Sequence, residues 1–471
     1  DLSFNSLWYN LNGGAIESLS SNFSQWTMMS YVGRINYGLM DRYLLTASLR
    51  YDGSSRLSEG NKWALFPSAA IAWRITEEDF AKNLDWLSNL KLRFSYGQAG
   101  NTNSVSPYAS EGTISGSVYY PFGTSTSVGN LPANIANPML TWERTSEYNV
   151  GLDFGFLNQR ISGNIEYYNR TTNDLLMKRN IPVHLGYSSV TSNVGSVRNS
   201  GFELQLNTAN IMTKNFAWNT TINLAYNKNE IVSLADEEDL SNYSIHLQGM
   251  RGRYSDKRFI GKPVDTNWTQ NTIGVWQLGE EEEAAKYGCV PGNFKIKDYN
   301  NDGKLTDDDY IIDGKRTPDW TGGMTNMFKI YDFDFSFHMY FQAGATQYDR
   351  FFENFALEWN SQNFNNLRTN YWTPENPSNT MGRPSQMGSR GNIAYERTDF
   401  LKVSYITLGY TLNKRLMSKW GLDNARIYVT VQNPFILTKF RGLDPEQPDL
   451  TNIGDTDGMT MNALLGVNIS F

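Results

Sequence analysis

The chain has 471 residues, with 41 Lys plus Arg against 48 Asp plus Glu and a formal net charge of −7, so it carries no basic footprint for a nucleic-acid partner. Its one cysteine, Cys289, excludes an intrachain disulfide framework. No stretch approaches the ~18 consecutive apolar residues of a membrane helix, but a mean hydropathy of −0.49 does not exclude membrane strands, whose alternation hides the apolar band from any averaging window.

Residues 1–21 are assigned to a loop. From there to the end, apolar and polar residues alternate with period 2 in about thirteen runs, near 22–38, 42–53, 63–76, 89–97, 142–155, 159–171, 194–208, 215–229, 321–331, 333–344, 400–413, 424–433 and 461–471. Leu90, Leu92, Phe94 and Tyr96 alternate with Lys91, Arg93 and Ser95, and Phe202, Leu204 and Leu206 with Glu203, Gln205 and Asn207. The clearest run sets Phe333, Phe335, Phe337, Met339 and Phe341 against Asp334, Ser336, His338, Tyr340 and Gln342. Each run is long enough for the ~9–11 residues of a tilted membrane strand. The 13 Trp, 27 Tyr, 25 Phe and 39 Gly suit aromatic girdles and many turns.

Connections alternate between short turns, such as 39–41 and 156–158, and long loops near 98–141, 230–320, 345–399 and 434–460. Short periplasmic turns and long extracellular loops in that order mark an outer-membrane barrel. The last run ends flush at Phe471, which resembles the assembly signal of such barrels. With Phe471 periplasmic, thirteen strands counted backward place the start of the chain outside. A barrel of about 22 strands with a plugged lumen would need about nine more upstream. The chain is therefore expected to begin within an extracellular loop, with the remaining strands and plug supplied by a second chain or an upstream segment.

Several segments resemble the SusC-like TonB-dependent transporters in family order: Arg50-Tyr51-Asp52-Gly53-Ser54-Ser55-Arg56, Phe66-Pro67-Ser68 leading to Ala72-Trp73-Arg74, Leu90 to Gly97, Asn137-Pro138 with Trp142-Glu143, Gly151-Leu152-Asp153-Phe154, Asn193-Val194-Gly195 with Asn199 to Glu203, and Gly442-Leu443-Asp444-Pro445-Glu446. The resemblance implies an all-β, antiparallel transmembrane β-barrel in the bacterial outer membrane, importing glycan oligomers or peptides. It also implies a SusD-like surface lipoprotein as lid, docked on the loops after about residues 97, 229, 344 and 433, and energy from the TonB complex. Signal peptide, TonB-contacting segment and plug are absent from this sequence. The competing readings are a passive porin or secretion pore, and a soluble carbohydrate-acting β protein.

The sharpest local motif runs from Asp298 to Asp309. Asp298, Asn300, Asp302, Thr306 and Asp309 fall at calcium-loop positions 1, 3, 5, 9 and 12, with the Lys304 carbonyl at position 7 and Gly303 at the sharp turn. Asp309 replaces the usual Glu, which shortens its reach; the bland alternative is a hydrated acidic turn. Ca²⁺ is the one cofactor expected. Loop aromatics Tyr119, Tyr120, Trp268, Trp276, Trp359 and Trp372 are candidates to stack on sugar rings, against the plainer reading that they pack loops together. Glu280 to Glu283 read as a solvated loop face. Only His184, His246 and His338 are present, without a G-x-S-x-G or H-E-x-x-H motif, so no enzyme is expected, and His338 reads as a lumen-facing polar residue.

Overall fold

In a computed structural model, the structure describes residues 23–471 except 124, 183, 185, 188, 358–368, 385–388, 414–416, 418–420 and 449–458. Residues 1–21 lie outside this set. Thirteen strands form one antiparallel sheet: β1 (Met28–Leu39), β2 (Tyr43–Ser54), β3 (Trp63–Arg74), β4 (Leu87–Asn101), β5 (Glu143–Phe156), β6 (Ile161–Asn173), β7 (Ser196–Met212), β8 (Phe216–Ser233), β9 (Trp320–Ile330), β10 (Phe333–Ala343), β11 (Phe400–Thr411), β12 (Asn424–Thr438) and β13 (Asn462–Ser470). Each pairs with the next in chain order, so every hydrogen-bonded neighbour is one hairpin away. Among the described residues β1 and β13 each have a single partner in this sheet.

The register keeps the two faces apart. Phe333, Phe335 and Phe337 stand opposite Tyr410, Leu408 and Ile406, and Ile427, Val429 and Val431 opposite Val467, Leu465 and Ala463. This face carries large apolar side chains in the open, among them Ile35 at 70% exposure and Leu465 at 74%. A surface this apolar and continuous is stable only against lipid or another apolar body. The other face is polar and holds a network across β4, β5 and β6. Arg93 bonds Asp153 through Nη2 at 2.8 Å and Glu166 at 2.7 Å. Lys91 reaches Asp153 at 2.6 Å, and Asn149 and Asn164 donate to Glu166 at 3.1 and 2.8 Å.

At one end the strands turn tightly. Met40 and Asp41 both adopt φ of 54°, the left-handed pair whose twist matches flanking strands. The connection after β3 is longer and folds a 3-10 turn, Ile75–Glu77. Just beyond it, Glu78 accepts bonds from Tyr43 Oη at 2.8 Å, Trp73 Nε1 at 3.0 Å and Arg42 Nη1 at 3.0 Å. The Tyr43 and Trp73 bonds hold its carboxyl below the usual carboxylate range, against the small opposing push of desolvation.

At the other end the long connections form two packed bodies. The first gathers Leu57, Ala64, Phe66, Val105, Leu140, Trp142 and Leu176, drawn from three connections and the strands below them. Trp142 Nε1 donates to the Lys62 carbonyl at 3.0 Å and Ser58 Oγ to the Leu140 carbonyl at 2.7 Å. The second interlocks the loops after β8 and β10: Val275, Phe294 and Ile296 from one pack with Phe352, Trp372, Met381 and Ala394 from the other. Thr272 N–H donates to Asn392 Oδ1, and Val275 N–H to Asn379 Oδ1, both at 2.9 Å. The loop after β12 joins this body where Arg441 pairs with Glu396 and lies 4.0 Å over the Phe352 ring.

The strand count and face assignment agree with the sequence reading. Strand ends differ: β1 starts at Met28, and β4, β8 and β12 run on to Asn101, Ser233 and Thr438. The three extensions follow from tertiary partners that the alternation does not report. Ala99, Gly100 and Asn101, for example, pair with Thr145, Arg144 and Glu143 beside the first loop body.

Candidate functional site

The loop body after β8 carries the oxygen-rich segment Asp298–Asp309. Asp298 accepts the Asn301 N–H at 2.6 Å and the Gly303 N–H at 3.0 Å. Asn300 Oδ1 accepts Asp302 N–H at 3.1 Å, and Asp302 Oδ1 accepts Lys304 N–H at 2.8 Å. These successive turns coil the backbone around one side, and they need left-handed geometry at Asn301 (φ 56°) and Gly303 (φ 78°); glycine adopts it without a Cβ penalty. Burial pushes the Asp298 carboxyl up. The Gly303 and Asn301 N–H groups and the Tyr287 hydroxyl outweigh this and hold it below the usual range. Tyr287 is pushed up to about 12 by its own burial and by Asp298.

The segment closes on itself through Asp309. That side chain, fully buried, accepts Tyr299 N–H at 2.8 Å and Thr306 N–H at 2.9 Å, while Thr306 caps the 3-10 turn Asp307–Asp309. Asp309 thus staples the two ends of the segment together. Among the described residues no three His, Cys, Asp or Glu side chains converge closely enough to hold a metal. The ligand-type residues stand on the right coil, with the three carboxylates turned to backbone N–H groups.

The six aromatics separate into distinct environments. Trp276 and Trp372 are 3% and 5% exposed; Trp276 stacks on Tyr287 beneath the Lys295 ammonium, and Trp372 donates from Nε1 to Gln277 Oε1 at 3.0 Å. Trp268 packs on Phe259 and Tyr310. These three hold the loop body together, and the buried Trp276 and Trp372, as placed, present no free ring face to a sugar. Tyr119 and Tyr120 instead sit on a two-stranded ribbon, Ile114–Phe122 with Ser125–Pro132, at 66% and 42% exposure. Trp359 lies outside the described residues. Glu281 to Glu283 open a short helix, Glu281–Lys286, with their side chains exposed. His338 stands on the polar face, bonded to Thr325 Oγ1 at 2.9 Å.

The comparisons with known proteins agree with this architecture. A family model described as TonB dependent receptor-like, beta-barrel, matches residues 2–321. The chain belongs to the TonB-dependent receptor β-barrel family. It is 35% identical to the TonB-dependent receptor SusC of Bacteroides thetaiotaomicron, over 94% of this chain and 44% of that protein. It is 33% identical to a TonB-dependent receptor of Formosa agariphila, over 96% of this chain and 47% of that one. Among solved structures, the RagAB peptide transporter superposes with a TM-score of 0.80 at 24% identity, covering 99% of this chain and 50% of its own. The chain thus spans about half the length of the curated relatives it matches.

As part of an outer-membrane TonB-dependent β-barrel, the sheet turns its apolar face to lipid and its polar face to the lumen. Barrels of this kind carry short turns on the periplasmic side and long loops outside. The alternation in the sequence assigned each side chain to its face. Which polar lumen residues satisfy one another and which stay open depends on pairings between separate strands.

Proposed function

We propose that the complete receptor imports glycan oligomers across the outer membrane, energised through TonB, with a SusD-like lipoprotein seated on the extracellular loop bodies. The observation that carries this reading is the built extracellular rim above a polar lumen wall: two loop bodies with their own buried cores, joined by the Arg179–Asp236 pair at 2.7 Å. A diffusion pore needs no such bodies, whereas a lid needs a firm surface to seat on. Glycans fit the exposed Tyr119 and Tyr120 rings. They also fit a lumen wall whose charged groups Lys91, Arg93, Asp153 and Glu166 bind each other in place of the charged termini of a peptide.

The edges of the sheet support the involvement of further strands. Unpaired backbone groups facing lipid each cost several kcal/mol, so β1 and β13 need partners, about nine strands if the complete barrel has about 22. In this reading the rest of the receptor supplies them, together with the plug. We assign to the Asp298–Asp309 segment a structural Ca²⁺, held by Asp298, Asn300, Asp302, Thr306, Asp309 and the Lys304 carbonyl, supported by its coiled backbone. Binding requires the carboxylates to rotate toward the centre of the coil.

The test is uptake by cells carrying the complete receptor, with and without functional TonB, of maltoheptaose, fructo-oligosaccharides, xylohexaose and a tryptic peptide digest. TonB-dependent uptake of a glycan is the expected result. Uptake that ignores TonB would establish a passive pore, and uptake of the peptides alone would overturn the substrate class. Purification in mild detergent is expected to bring down a surface lipoprotein; recovery of the barrel without one would remove the lid.

A further inference from the structure

The lumen wall holds a second kind of surface beside the ion-paired network. Gln205 on β7 stands directly opposite Asn223 on β8, Asn223 opposite Gly323 on β9, and Gly323 opposite Tyr340 on β10. This single cross-strand row, together with Glu203 and His338, lines a hollow of about 380 Å³ open to the lumen. Neighbouring strands are ~4.8 Å apart, so two amides lie about 5 Å from each other. The aromatic ring is two strands beyond the second amide. Between them Gly323 removes the side chain that would fill the gap; a Cβ there would already meet the His338 ring at 3.0 Å.

The polar groups of this row are open. Arg93, Asp153 and Glu166 are tied to each other and to Asn149 and Asn164. By contrast, no side-chain hydrogen bond joins Glu203, Gln205, Asn223 or the Tyr340 hydroxyl to another described residue, whereas His338 is fixed by Thr325 and by stacking on Tyr405 at 5.7 Å. Tyr340 is braced from behind by Phe400 at 5.8 Å. A rigid ring on one side, free amides and a carboxylate on the other, and a glycine floor between them match a pyranose. Its CH face packs on an aromatic ring while neighbouring hydroxyls bond amide and carboxylate groups.

We propose that this hollow is a lumenal subsite for one neutral hexose unit of the transported glycan, with Tyr340 as the stacking platform and Glu203, Gln205 and Asn223 as hydroxyl partners. The proposal rests on the glycan-import reading and adds to it a place on the wall where the chain pauses after leaving the extracellular rim. Lys402 continues the row opposite Tyr340 but is already paired with Glu446, so a peptide would find no open charge partner here besides Glu203, and a plug side chain is the competing occupant.

The experiment uses the complete receptor and the glycan probe from the uptake panel that the unmodified protein imports, comparing Glu203→Gln, Tyr340→Ala and Tyr340→Phe. Loss of one hydrogen bond to a charged group, or of one stacked ring, corresponds to roughly tenfold in affinity. Glu203→Gln and Tyr340→Ala are therefore expected to lower uptake by about tenfold at limiting glycan, with retention of labelled glycan at the cell surface unchanged, while Tyr340→Phe keeps most of the uptake. The heat-dependent gel mobility of each variant reports that the barrel has assembled, and Glu203→Gln, which preserves shape, guards against a folding artefact. Unchanged uptake in both Glu203→Gln and Tyr340→Ala overturns the subsite alone. Parallel loss of surface retention moves the effect to the rim and overturns it as well. Undiminished import with new sensitivity to large antibiotics assigns the hollow to the plug. If the unmodified receptor imports no glycan, the import reading falls and the subsite with it.

Discussion

The barrel wall and the body formed by the loops after β8 and β10 are held together in different ways. In the wall every ladder joins strands adjacent in sequence. In the loop body the bonds that matter span about a hundred residues: Val275 to Asn379, Thr272 to Asn392, Trp372 to Gln277. The wall also keeps its large apolar side chains outside, against lipid, whereas the loop body buries Phe294, Trp372 and Phe352 as a water-soluble domain does. Lipid and local hairpins stabilise the wall; a small aqueous core stabilises the rim. The two should therefore fail separately.

The largest expected effect breaks the rim alone. Phe294→Ala empties a 2%-exposed position in the shared core, where truncation of a buried Phe costs about 3–5 kcal/mol. Limited proteolysis should then cut within the two loops while the strands stay protected and gel mobility remains heat-dependent. Simultaneous loss of the barrel would show that wall and rim fold as one unit.

A second effect tunes the rim with pH. Asp349 is fully buried, accepts the Phe352 N–H at 2.9 Å through Oδ1, and leaves Oδ2 without a partner among the described residues. Burial pushes its carboxyl up to about 6. The folded state holds that proton more tightly than the unfolded one, so the contribution of this group is fully present below the unfolded value near 4 and is lost as pH rises through 6. Hydrogen exchange around 349–352, corrected for intrinsic rates, should show roughly 1–3 kcal/mol more protection at pH 4 than at pH 7, and Asp349→Asn should flatten that profile.

The wall has its own weak point. Asp153→Ala leaves Arg93 with Glu166 alone and removes the ion-pair partner of Lys91, and loss of charge-assisted bonds at this half-buried site is expected to cost about 1–2 kcal/mol. The urea midpoint of barrel unfolding should fall while the rim's proteolysis pattern stays unchanged. The smallest effect belongs to the metal. With a dissociation constant of 10⁻⁴–10⁻³ M, as in extracellular loops of this kind, about 2 mM calcium would stabilise the rim by roughly 0.6–2 kcal/mol. A calcium-dependent shift confined to the rim transition, abolished by Asp298→Ala, is the expected readout in calorimetry.

How much of this could be read in the sequence follows the same division. A strand places successive side chains on opposite faces, so the alternation of Phe333 to Phe341 with Asp334 to Gln342 determines both the strand and its lipid side without knowledge of any partner. All thirteen strands were legible in that way, as was the coil of Asp298 to Lys304, whose bonds run two to five residues along the chain. The sequence left Trp276 and Trp372 between stacking on sugar and packing loops together; both are core, and that was decided by segments that meet only in the folded loops. Glu203, Gln205, Asn223 and Tyr340 gave no signal as a group, since their positions span 138 residues and line up only through the register of four strands. Sequence by itself determined what is periodic and local: strands, faces and tight turns. Tertiary structure decided what depends on register and on distant packing: the loop cores, the satisfied charges on the wall and the open hollow beside them.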